Sequence, residues 1–514
     1  MTGDVTVTGF GVRTAFGTGA DALRRGVFAG VPSFAPTTRF DTAPYRTPMA
    51  GAAPDGPDMV EGWALRPALA RCGAEALDMA GLPRGTDAAV LLGIAGDCTS
   101  ITGYWREAAK AATHRERADA GRGTGGAWPG DTDGRRERTT AEAGRFAPCQ
   151  GAGEGSERSA GEGTGDGSGR SAGKGTGDGS ERSAEALAGP VVGSGSALAG
   201  RALGSSTPRP GTDLAGQAFG SGSALAEPVV GSGSVLSGPA RLVDAVPAYL
   251  AESLAGGLGL TGPRLTFTNA CVASAAAIIH ACRLISSGRI DVAVCAGGYL
   301  VEEETFGKFD SGRALSRDGR VRPFSADRSG LLLGDGVAAV VLESAEHARR
   351  RGARPLASVV GWGAATDAHH IAQPHPEGVG LARAARQALR LAGDPDGAGL
   401  GYVNAHGTGT RYNDGAETRG LRAAFPERAG SIPVSSTKST TGHLLEAAGV
   451  VEFVITMLAL TDGVLPPTAG YTRADPECDL DYVPNQPRQA DVRRALTVNA
   501  AFGGANTALV LERP

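Results

Sequence analysis

The sequence is poor in cysteine, in uncompensated charge and in long apolar runs. Its seven cysteines form an odd set without a C-x-x-C pair, which argues against a disulfide framework and a zinc site and favours a reducing compartment. The formal net charge of −4 over 514 residues is too neutral to indicate binding to nucleic acid or to an anionic membrane. Apolar stretches such as VITMLAL at 454–460 are far shorter than the ~20 residues of a membrane-spanning helix. We expect a cytoplasmic protein without a metal site.

The first residues also lack the pattern of a signal peptide. MTGDVTVTGFGV at 1–12 alternates as a β-strand does and has neither a basic region nor an apolar core. The sequence therefore gives no indication of export.

Glycine, by contrast, is abundant and unevenly placed. Most of the unusual composition lies between about 107 and 240, where RSAGEGTGDGSG at 158–169 is followed by RSAGKGTGDGSE at 170–181. A second repeat pairs PVVGSGSALAG at 190–200 with PVVGSGSVLSG at 228–238. These units lack the apolar face that stacked repeats bury. The composition therefore predicts a long disordered Gly/Ser-rich insertion.

Outside the insertion, short β-rich runs alternate with helical ones, which is typical of an α/β fold with largely parallel strands. The predicted helices include 63–82 and a helix from Cys271 to Gly288, and the predicted strands include 264–270 and 336–344. In open α/β sheets the ends of strands border the ligand crevice. Among the residues placed there is Cys271.

The surroundings of Cys271 suggest a reactive thiol. In TNACVASAAA, at 268–277, a strand end meets the start of a helix, whose N-terminus favours a thiolate. The small residues that follow would let the helix lie close to its neighbours. The alternative is that Cys271 is a small buried hydrophobe, and we assign Cys282 and Cys295 to that class.

Two further loops carry histidines in polar, Gly-rich surroundings. NAHGTGT at 404–410 contains His406, and SSTKSTTGHLLEAAG at 435–449 contains His443. Each histidine alone is more often structural than catalytic, but both loops with the helix-start cysteine form a constellation. The sequence does not show that they converge. The other histidines are assigned to surface or packing positions.

In their order along the chain, five motifs resemble the β-ketoacyl-acyl-carrier-protein synthases, and most of all the elongating type II enzymes of fatty-acid and aromatic-polyketide synthesis. The motifs are TNACVAS, RPFSADRSGLLLGDG, NAHGTGT, STKSTTGHLLEAAG and AAFGGANTALVL. The resemblance implies a thiolase fold, a duplicated α/β/α/β/α sandwich. Residues 1–346 would form the N-terminal half, interrupted by the insertion at about 107–240, and residues 347–514 the C-terminal half.

The resemblance also implies catalytic roles. Cys271 would accept the acyl group, and His406 and His443 would assist decarboxylation of the malonyl group. Lys438 would pair with Glu452 and support the second histidine.

Residues with substrate-binding roles follow from the same resemblance. Thr408 and Thr410 would contact the phosphopantetheine arm. Phe502 would be the gating residue of the last glycine loop, with Phe309 as its partner.

The implied reaction is a decarboxylative Claisen condensation of the acyl group on Cys271 with malonyl-acyl carrier protein, which gives a 3-oxoacyl product. It needs no metal or redox cofactor, because both substrates are carried on the phosphopantetheine of the carrier protein. The protein would work as a homodimer, or as a heterodimer with a related ketosynthase-like subunit.

One alternative function is that of the non-catalytic, chain-length-determining partner subunit, which typically lacks the cysteine. A thiolase or initiating synthase is another, but these usually carry Cys-His-Cys or Cys-His-Asn sets.

Four positions depart from the family pattern. Asn269 stands where Thr is usual, Val272 where a small or hydroxyl residue is common, and Glu446 where a small residue is usual. Ala501 replaces a glycine, and the loss of access to positive φ is expected to stiffen the gate loop. These departures leave the acyl chain and the pathway open.

A basic stretch is a candidate for docking the acidic carrier protein. Residues 308–328, KFDSGRALSRDGRVRPFSADR, hold six basic side chains against three aspartates. Steering by such a patch should weaken with salt.

Overall fold

The computed structural model describes residues 4–53, 64–96, 109–110 and 242–514. These residues lie in one compact unit within Met1–Gly125 and Gly231–Pro514. Apart from residues 109 and 110, the predicted insertion at about 107–240 lies outside the described residues and stays a prediction.

The strands alternate with helices along the described chain. In chain order the strands are β1 (Val5–Thr14), β2 (Gly17–Thr18), β3 (Ala35–Pro36), β4 (Met49–Ala50), β5 (Ala89–Gly93), β6 (Arg264–Phe267), β7 (Val292–Tyr299), β8 (Gly336–Ser344), β9 (Ala357–Thr366), β10 (Leu400–Asn404), β11 (Val434–Ser435), β12 (Val464–Leu465), β13 (Arg488–Gln489), β14 (Arg494–Ala500) and β15 (Ala505–Glu512). The α-helices are α1 (Ala20–Leu23), α2 (Leu65–Ala80), α3 (Pro247–Leu258), α4 (Ala273–Ser286), α5 (Glu303–Ser311), α6 (Ala345–Arg350), α7 (Val379–Leu391), α8 (Arg411–Ala424), α9 (Lys438–Thr441) and α10 (Ala448–Asp462).

The predicted elements appear close to their expected bounds. The strand at 336–344 is β8, and the helix expected at 63–82 is α2, which ends at Gly81 because that residue takes the left-handed conformation (φ 67). The strand expected at 264–270 stops at Phe267. The helix expected from Cys271 begins as a 3-10 turn, Ala270–Val272, and becomes α-helical at Ala273.

Most of the strands form one mixed sheet that repeats a single pattern. The strand order in the described residues is β11-β10-β14-β15-β9-β1-β8-β7-β5-β6. The sheet has two halves, each of five strands that we number 1 to 5 in chain order. In each half the strands lie in the order 3-2-4-5-1 from the outer edge inward. The first half consists of β1, β5, β6, β7 and β8, and the second of β9, β10, β11, β14 and β15. In that sheet order, the first three strands of each half are parallel to one another, and each of the last two is antiparallel to the strand before it. The repetition is the duplication that the family resemblance implies.

Helices cover both faces of each half of the sheet. Along β7, Ala293 and Cys295 face the central core, whereas Val292 and Val294 face α2 and α3, as the two-residue period of a strand requires. On the other half, α7 and α8 pack against β10, β14 and β15. The helices α4 and α10 lie in the central core between the halves. This arrangement confirms the predicted duplicated α/β/α/β/α sandwich; the division at 346/347 stays a prediction.

The two central helices approach each other closely, as the small residues after Cys271 predict. A Cβ atom on Gly449 would lie 2.5 Å from the backbone nitrogen of Ala275, so only glycine fits there. The backbone N–H of Val450 donates a hydrogen bond of 3.0 Å to the Ser274 hydroxyl. The first turns of α4 and α10 are thereby fixed against each other.

In the described residues no helix is long and apolar enough to cross a membrane.

Candidate active site

Cys271 lies in the 3-10 turn that links β6 to α4. Ala270, just before it, has a φ of 53, a left-handed conformation that is uncommon for a residue with a side chain. Cys271 is 6% exposed. Burial raises the pKa of its thiol to about 12; the Glu446 carboxylate adds to this shift, and Lys438 opposes it. Burial therefore outweighs any stabilisation of the thiolate by the helix N-terminus.

The neighbouring cysteines are core residues, as predicted. Cys282 and Cys295 have no exposed surface, and burial raises the pKa of both thiols well above the usual range. Neither lines the cavities described below.

His406 lies directly after β10 in a loop held by one carboxylate. The backbone N–H groups of His406 and Gly407 donate hydrogen bonds of 2.6 and 2.7 Å to the two oxygens of Glu417, on α8. The imidazole itself is buried, and its Nδ1 has no hydrogen-bond partner among the described residues. Burial, with a smaller effect of Lys438, lowers its pKa well below the usual value.

His443 meets His406 across the cavity. The two rings lie 5.3 Å apart between centroids in an edge-to-face arrangement, with an interplanar angle of 83°. The backbone N–H of Leu445 donates a 3.3 Å hydrogen bond to Nδ1 of His443, which leaves the ring proton on Nε2. Burial and the charge of Lys438 lower the pKa of His443 well below the usual value. The two histidine loops therefore converge, and both rings are neutral at pH 7.

Lys438 and Glu452 form a buried ion pair beside the histidines. Nζ of Lys438 donates to one oxygen of Glu452, and the amide of Asn499 donates to the other at 2.6 Å. The two charged side chains are 1% and 2% exposed. The pairing expected from the family resemblance is present in the geometry.

Breaking this ion pair should destabilise the protein. Lys438→Met leaves the Glu452 carboxylate buried without a cation, and we expect a loss of about 3–5 kcal/mol in the free energy of unfolding. The measurement is urea unfolding followed by circular dichroism. The double variant Lys438→Met/Glu452→Gln, which removes both charges, should regain much of the loss. Equal stability of the two variants would show that the unpaired charge is not the cause.

A cavity of ≈ 880 Å³ brings most of the expected site residues together. Its lining includes Cys271, His406, His443, Thr408, Thr410, Phe309 and Phe502. The hydroxyls of Thr408 and Thr410 are 2.9 Å apart. Lys438 and Glu452 are not part of the lining, and Lys438 acts on the cavity through its charge, which lowers the pKa values of Cys271, His406 and His443.

A second cavity of ≈ 220 Å³ also has Cys271 in its wall. Phe309 and Phe502 line both cavities, and their rings stack 5.7 Å apart with an interplanar angle of 22°. Phe502 is 52% exposed. The aromatic pair therefore lies where the two cavities meet, as a gate would.

Comparison with known proteins agrees with this geometry. The family model for the beta-ketoacyl synthase N-terminal domain matches residues 205–348, and that for the C-terminal domain matches 356–472. A 3-oxoacyl-[acyl-carrier-protein] synthase 2 from Synechocystis is 39% identical over 288 residues, 54% of this chain and 69% of the relative. The chain belongs to the β-ketoacyl synthase family.

Another relative of the chain is named for polyketide synthesis. The ketoacyl synthase alpha subunit of the tetracenomycin polyketide synthase from Streptomyces glaucescens is 41% identical over 278 residues, 52% of this chain. The chain spans 64% of that relative's length, slightly under two thirds.

Solved structures support the fold. The ishigamide ketosynthase/chain length factor superposes with a TM-score of 0.70 at 24% identity, and a beta-ketoacyl synthase from Burkholderia phymatum with 0.68 at 23%, each over the whole of both chains. The fold is therefore thiolase-like, as predicted.

The structure places the four departures from the family pattern. Ala501 is extended, with a φ of −137, and the positive φ angles of the loop belong to Gly503 and Gly504. Ala501 therefore needs no positive φ in this loop, and its effect on the stiffness of the gate loop stays a prediction. Asn269 is exposed and Val272 is fully buried, whereas Glu446 lines the smaller cavity.

One supporting residue escaped sequence reasoning. Glu417 binds the backbone of the His406 loop from the buried face of α8, and burial raises the pKa of its carboxyl to about 7. A glutamate eleven residues after the histidine carries no signal of this contact, which depends on how α8 folds back onto the loop.

The described residues contain no group of three or more His, Cys, Asp or Glu side chains placed to hold a metal ion. That the reaction needs no cofactor stays a prediction.

Proposed function

We propose that this β-ketoacyl synthase condenses an acyl group, held on Cys271, with malonyl-acyl carrier protein. The product would be a 3-oxoacyl-acyl carrier protein in fatty-acid or polyketide synthesis. The observation that carries the proposal is the cavity of ≈ 880 Å³ whose wall contains Cys271, His406 and His443 together.

The first step is transfer of the acyl group. The Cys271 sulfur attacks the carbonyl carbon of the acyl thioester; the new C–S bond forms as the bond to the phosphopantetheine sulfur breaks. The thiol proton leaves Cys271 and the departing sulfur takes a proton. Because burial raises the pKa of Cys271, this step needs an acceptor for the proton, and the neutral imidazoles in the same cavity provide one.

The second step is decarboxylation and condensation. The bond between the malonyl carboxylate and C2 breaks, CO₂ leaves, and the electron pair forms an enolate at the malonyl thioester. C2 then attacks the acyl carbonyl, and the bond from that carbonyl to Cys271 breaks. Nε2–H of His443 would donate a hydrogen bond to the enolate oxygen, with His406 beside it. The backbone N–H groups of Cys271 and Phe502 would stabilise the oxyanion at the acyl carbonyl.

Two threonines and two phenylalanines of the cavity wall have the remaining proposed roles. Thr408 and Thr410 would hydrogen-bond the phosphopantetheine, and Phe502 against Phe309 would separate the two steps by closing the smaller cavity. No cofactor enters this chemistry. The carrier protein and a second ketosynthase-like subunit are the proposed partners, and the cytoplasm the proposed location.

The test of this function is the site of acylation. After incubation with an acyl carrier thioester, peptide mapping by mass spectrometry should place the acyl group on Cys271. The non-catalytic chain-length subunit is the other candidate within the family, and an absence of any acyl adduct would favour it. An adduct on Cys282 or Cys295 would contradict the assignment of the nucleophile.

Fewer basic side chains at 308–328 are available to a carrier protein than the sequence indicates, because three of the six form ion pairs. Lys308 pairs with Glu304, Arg322 with Asp318, and Arg328 with Asp475. The exposed remainder is Arg313, Arg317 and Arg320, of which the first two line the larger cavity. We define these three arginines as the docking patch.

Charge reversal on this patch should weaken carrier binding selectively. Arg317→Glu/Arg320→Glu should raise KM for malonyl-acyl carrier protein by about tenfold or more at low salt, because steering by opposite charge is lost. A small malonyl thioester should be turned over as before. Arg383→Glu/Arg390→Glu, on the exposed face of α7, is the matched control. Equal effects on the carrier and the small thioester would disprove docking at this patch.

A further inference from the structure

The smaller cavity beside Cys271 has an unusual wall for a space that receives an acyl chain. Leu65, Ala95, Leu300 and Leu445 contribute apolar surface. Two carboxylates, Glu302 and Glu446, lie in the same wall. An engineered apolar cavity of about 150 Å³ holds a benzene molecule, so ≈ 220 Å³ suits a short acyl group that would meet these carboxylates.

The oxygens of Glu302 already have partners. They accept hydrogen bonds of 2.8 Å each from the backbone N–H groups of Glu304 and Thr305, and so cap the start of α5. The side chain is 5% exposed and fixed in the wall. Glu302 therefore contributes negative charge to the cavity wall rather than a free hydrogen-bond acceptor.

Glu446 is the carboxylate with acceptor capacity to spare. It lies in the 3-10 turn Leu445–Ala447, just before α10. In the described part of the chain, its carboxylate accepts a hydrogen bond only from its own backbone N–H. Glu446 and Cys271 both line the smaller cavity, and the charge of Glu446 raises the pKa of the Cys271 thiol. Lys308, a basic residue of the same wall, donates a hydrogen bond of 2.7 Å to Glu304.

Charge is distributed unequally between the two cavities that share Cys271. Arg313, Arg317 and Arg411 line the larger one, which suits the phosphate-bearing arm of the carrier protein. The smaller one presents the two glutamates. An anionic group is therefore favoured on one side of the cysteine and disfavoured on the other.

From this geometry we infer that Glu446 makes the smaller cavity select short acyl groups that carry an amine over aliphatic or anionic groups of the same length. The inference rests on the proposed function and names the acyl class for its first step. A protonated amine would form a charge-assisted hydrogen bond with Glu446. An aliphatic group would leave that carboxylate buried and unpaired, and an anionic group would add repulsion.

The experiment compares three thioesters of pantetheine: butyryl, 3-aminobutyryl and succinyl. The rate of Cys271 acylation by each is followed by intact-protein mass spectrometry. In the wild type, 3-aminobutyryl should react at least about tenfold faster than butyryl, and succinyl more slowly than both. Because all three meet the same thiol, the ratio of rates cancels any change in the reactivity of Cys271.

The Glu446→Gln variant keeps the shape of the side chain and removes its charge. In it the ratio of 3-aminobutyryl to butyryl should fall to within about threefold of unity, and succinyl should gain. Glu346→Gln, an exposed glutamate on α6 that is 67% exposed, should keep the wild-type ratio. Should Glu446→Gln fail to fold, Glu302→Gln should still reduce the ratio by removing one of the two charges.

The outcomes separate the inference from the proposed function. Equal rates for butyryl and 3-aminobutyryl in the wild type, or a ratio unchanged in Glu446→Gln, would overturn the inference while Cys271 acylation stands. If none of the three thioesters acylated Cys271, the proposed function would fail and the inference with it.

Discussion

Cys271→Ala is expected to abolish both acylation of the protein and formation of the 3-oxoacyl product. Within the described residues, Cys271 is the one thiol that lines either cavity, so no other sulfur can take over the attack. Losses on removing a covalent nucleophile are large, and we expect product formation to fall by at least about 10³-fold. The measurement is product formation from an acyl thioester and malonyl-acyl carrier protein, followed by mass spectrometry.

Cys295→Ala is the matched control. It removes a thiol from the same βαβ unit, but one that is buried in the core without access to either cavity. This variant should lose some stability and keep turnover close to that of the wild type. Product formation by Cys271→Ala above about a tenth of the wild-type rate would show that another group carries the acyl chain.

The position of Cys271 was predictable because it depends on local order along the chain. Cys271 lies at a strand end because a strand, one tight turn and a helix of small residues follow one another along the chain. This position does not depend on how the two halves of the fold pack together. The same holds for His406, which follows β10 directly. The pairing of Lys438 with Glu452 came from the family resemblance, since no spacing rule joins a lysine in a short helix to a glutamate in the next one.

The protonation of the site was not predictable from such local patterns. The helix N-terminus argues for a thiolate at Cys271, but the pKa follows from the sum of burial and of charges on distant segments, above all Glu446. That glutamate lies 175 residues further along the chain and reaches the cysteine only because α4 and α10 pack in the central core.

The gate loop shows the same limit on a smaller scale. Sequence comparison by residue type treats Ala501 as a lost glycine. The backbone there is extended, and the left-handed conformations fall on Gly503 and Gly504, two and three residues further along. Which glycine of a G-rich loop needs its freedom is decided by the hydrogen bonds of the folded loop, such as that from Gly503 N–H to the carbonyl of Ile371 at 2.7 Å.

Removal of either histidine should impair condensation far more than acyl transfer. In His443→Ala the enolate oxygen loses the Nε2–H donor that the Leu445 N–H holds in place, and in His406→Ala it loses the adjacent ring. We expect product formation to fall by about 10²-fold or more in each variant, whereas Cys271 acylation stays measurable. Release of CO₂ from malonyl-acyl carrier protein and the acyl adduct on Cys271 are measured in parallel.

The low pKa of both rings fixes the pH dependence of this step. Burial and Lys438 keep the imidazoles neutral, so protonation should impair decarboxylation only below pH 6.5, where an ordinary histidine is half protonated. His280→Ala, on α4 beside Phe267 at 5.7 Å between ring centroids and outside both cavities, should leave the rate and its pH profile unchanged. Condensation by both active-site variants at near wild-type rate would remove the histidines from the mechanism. An acid limb centred above pH 6.5 would instead mean that the rings are not held neutral by their burial.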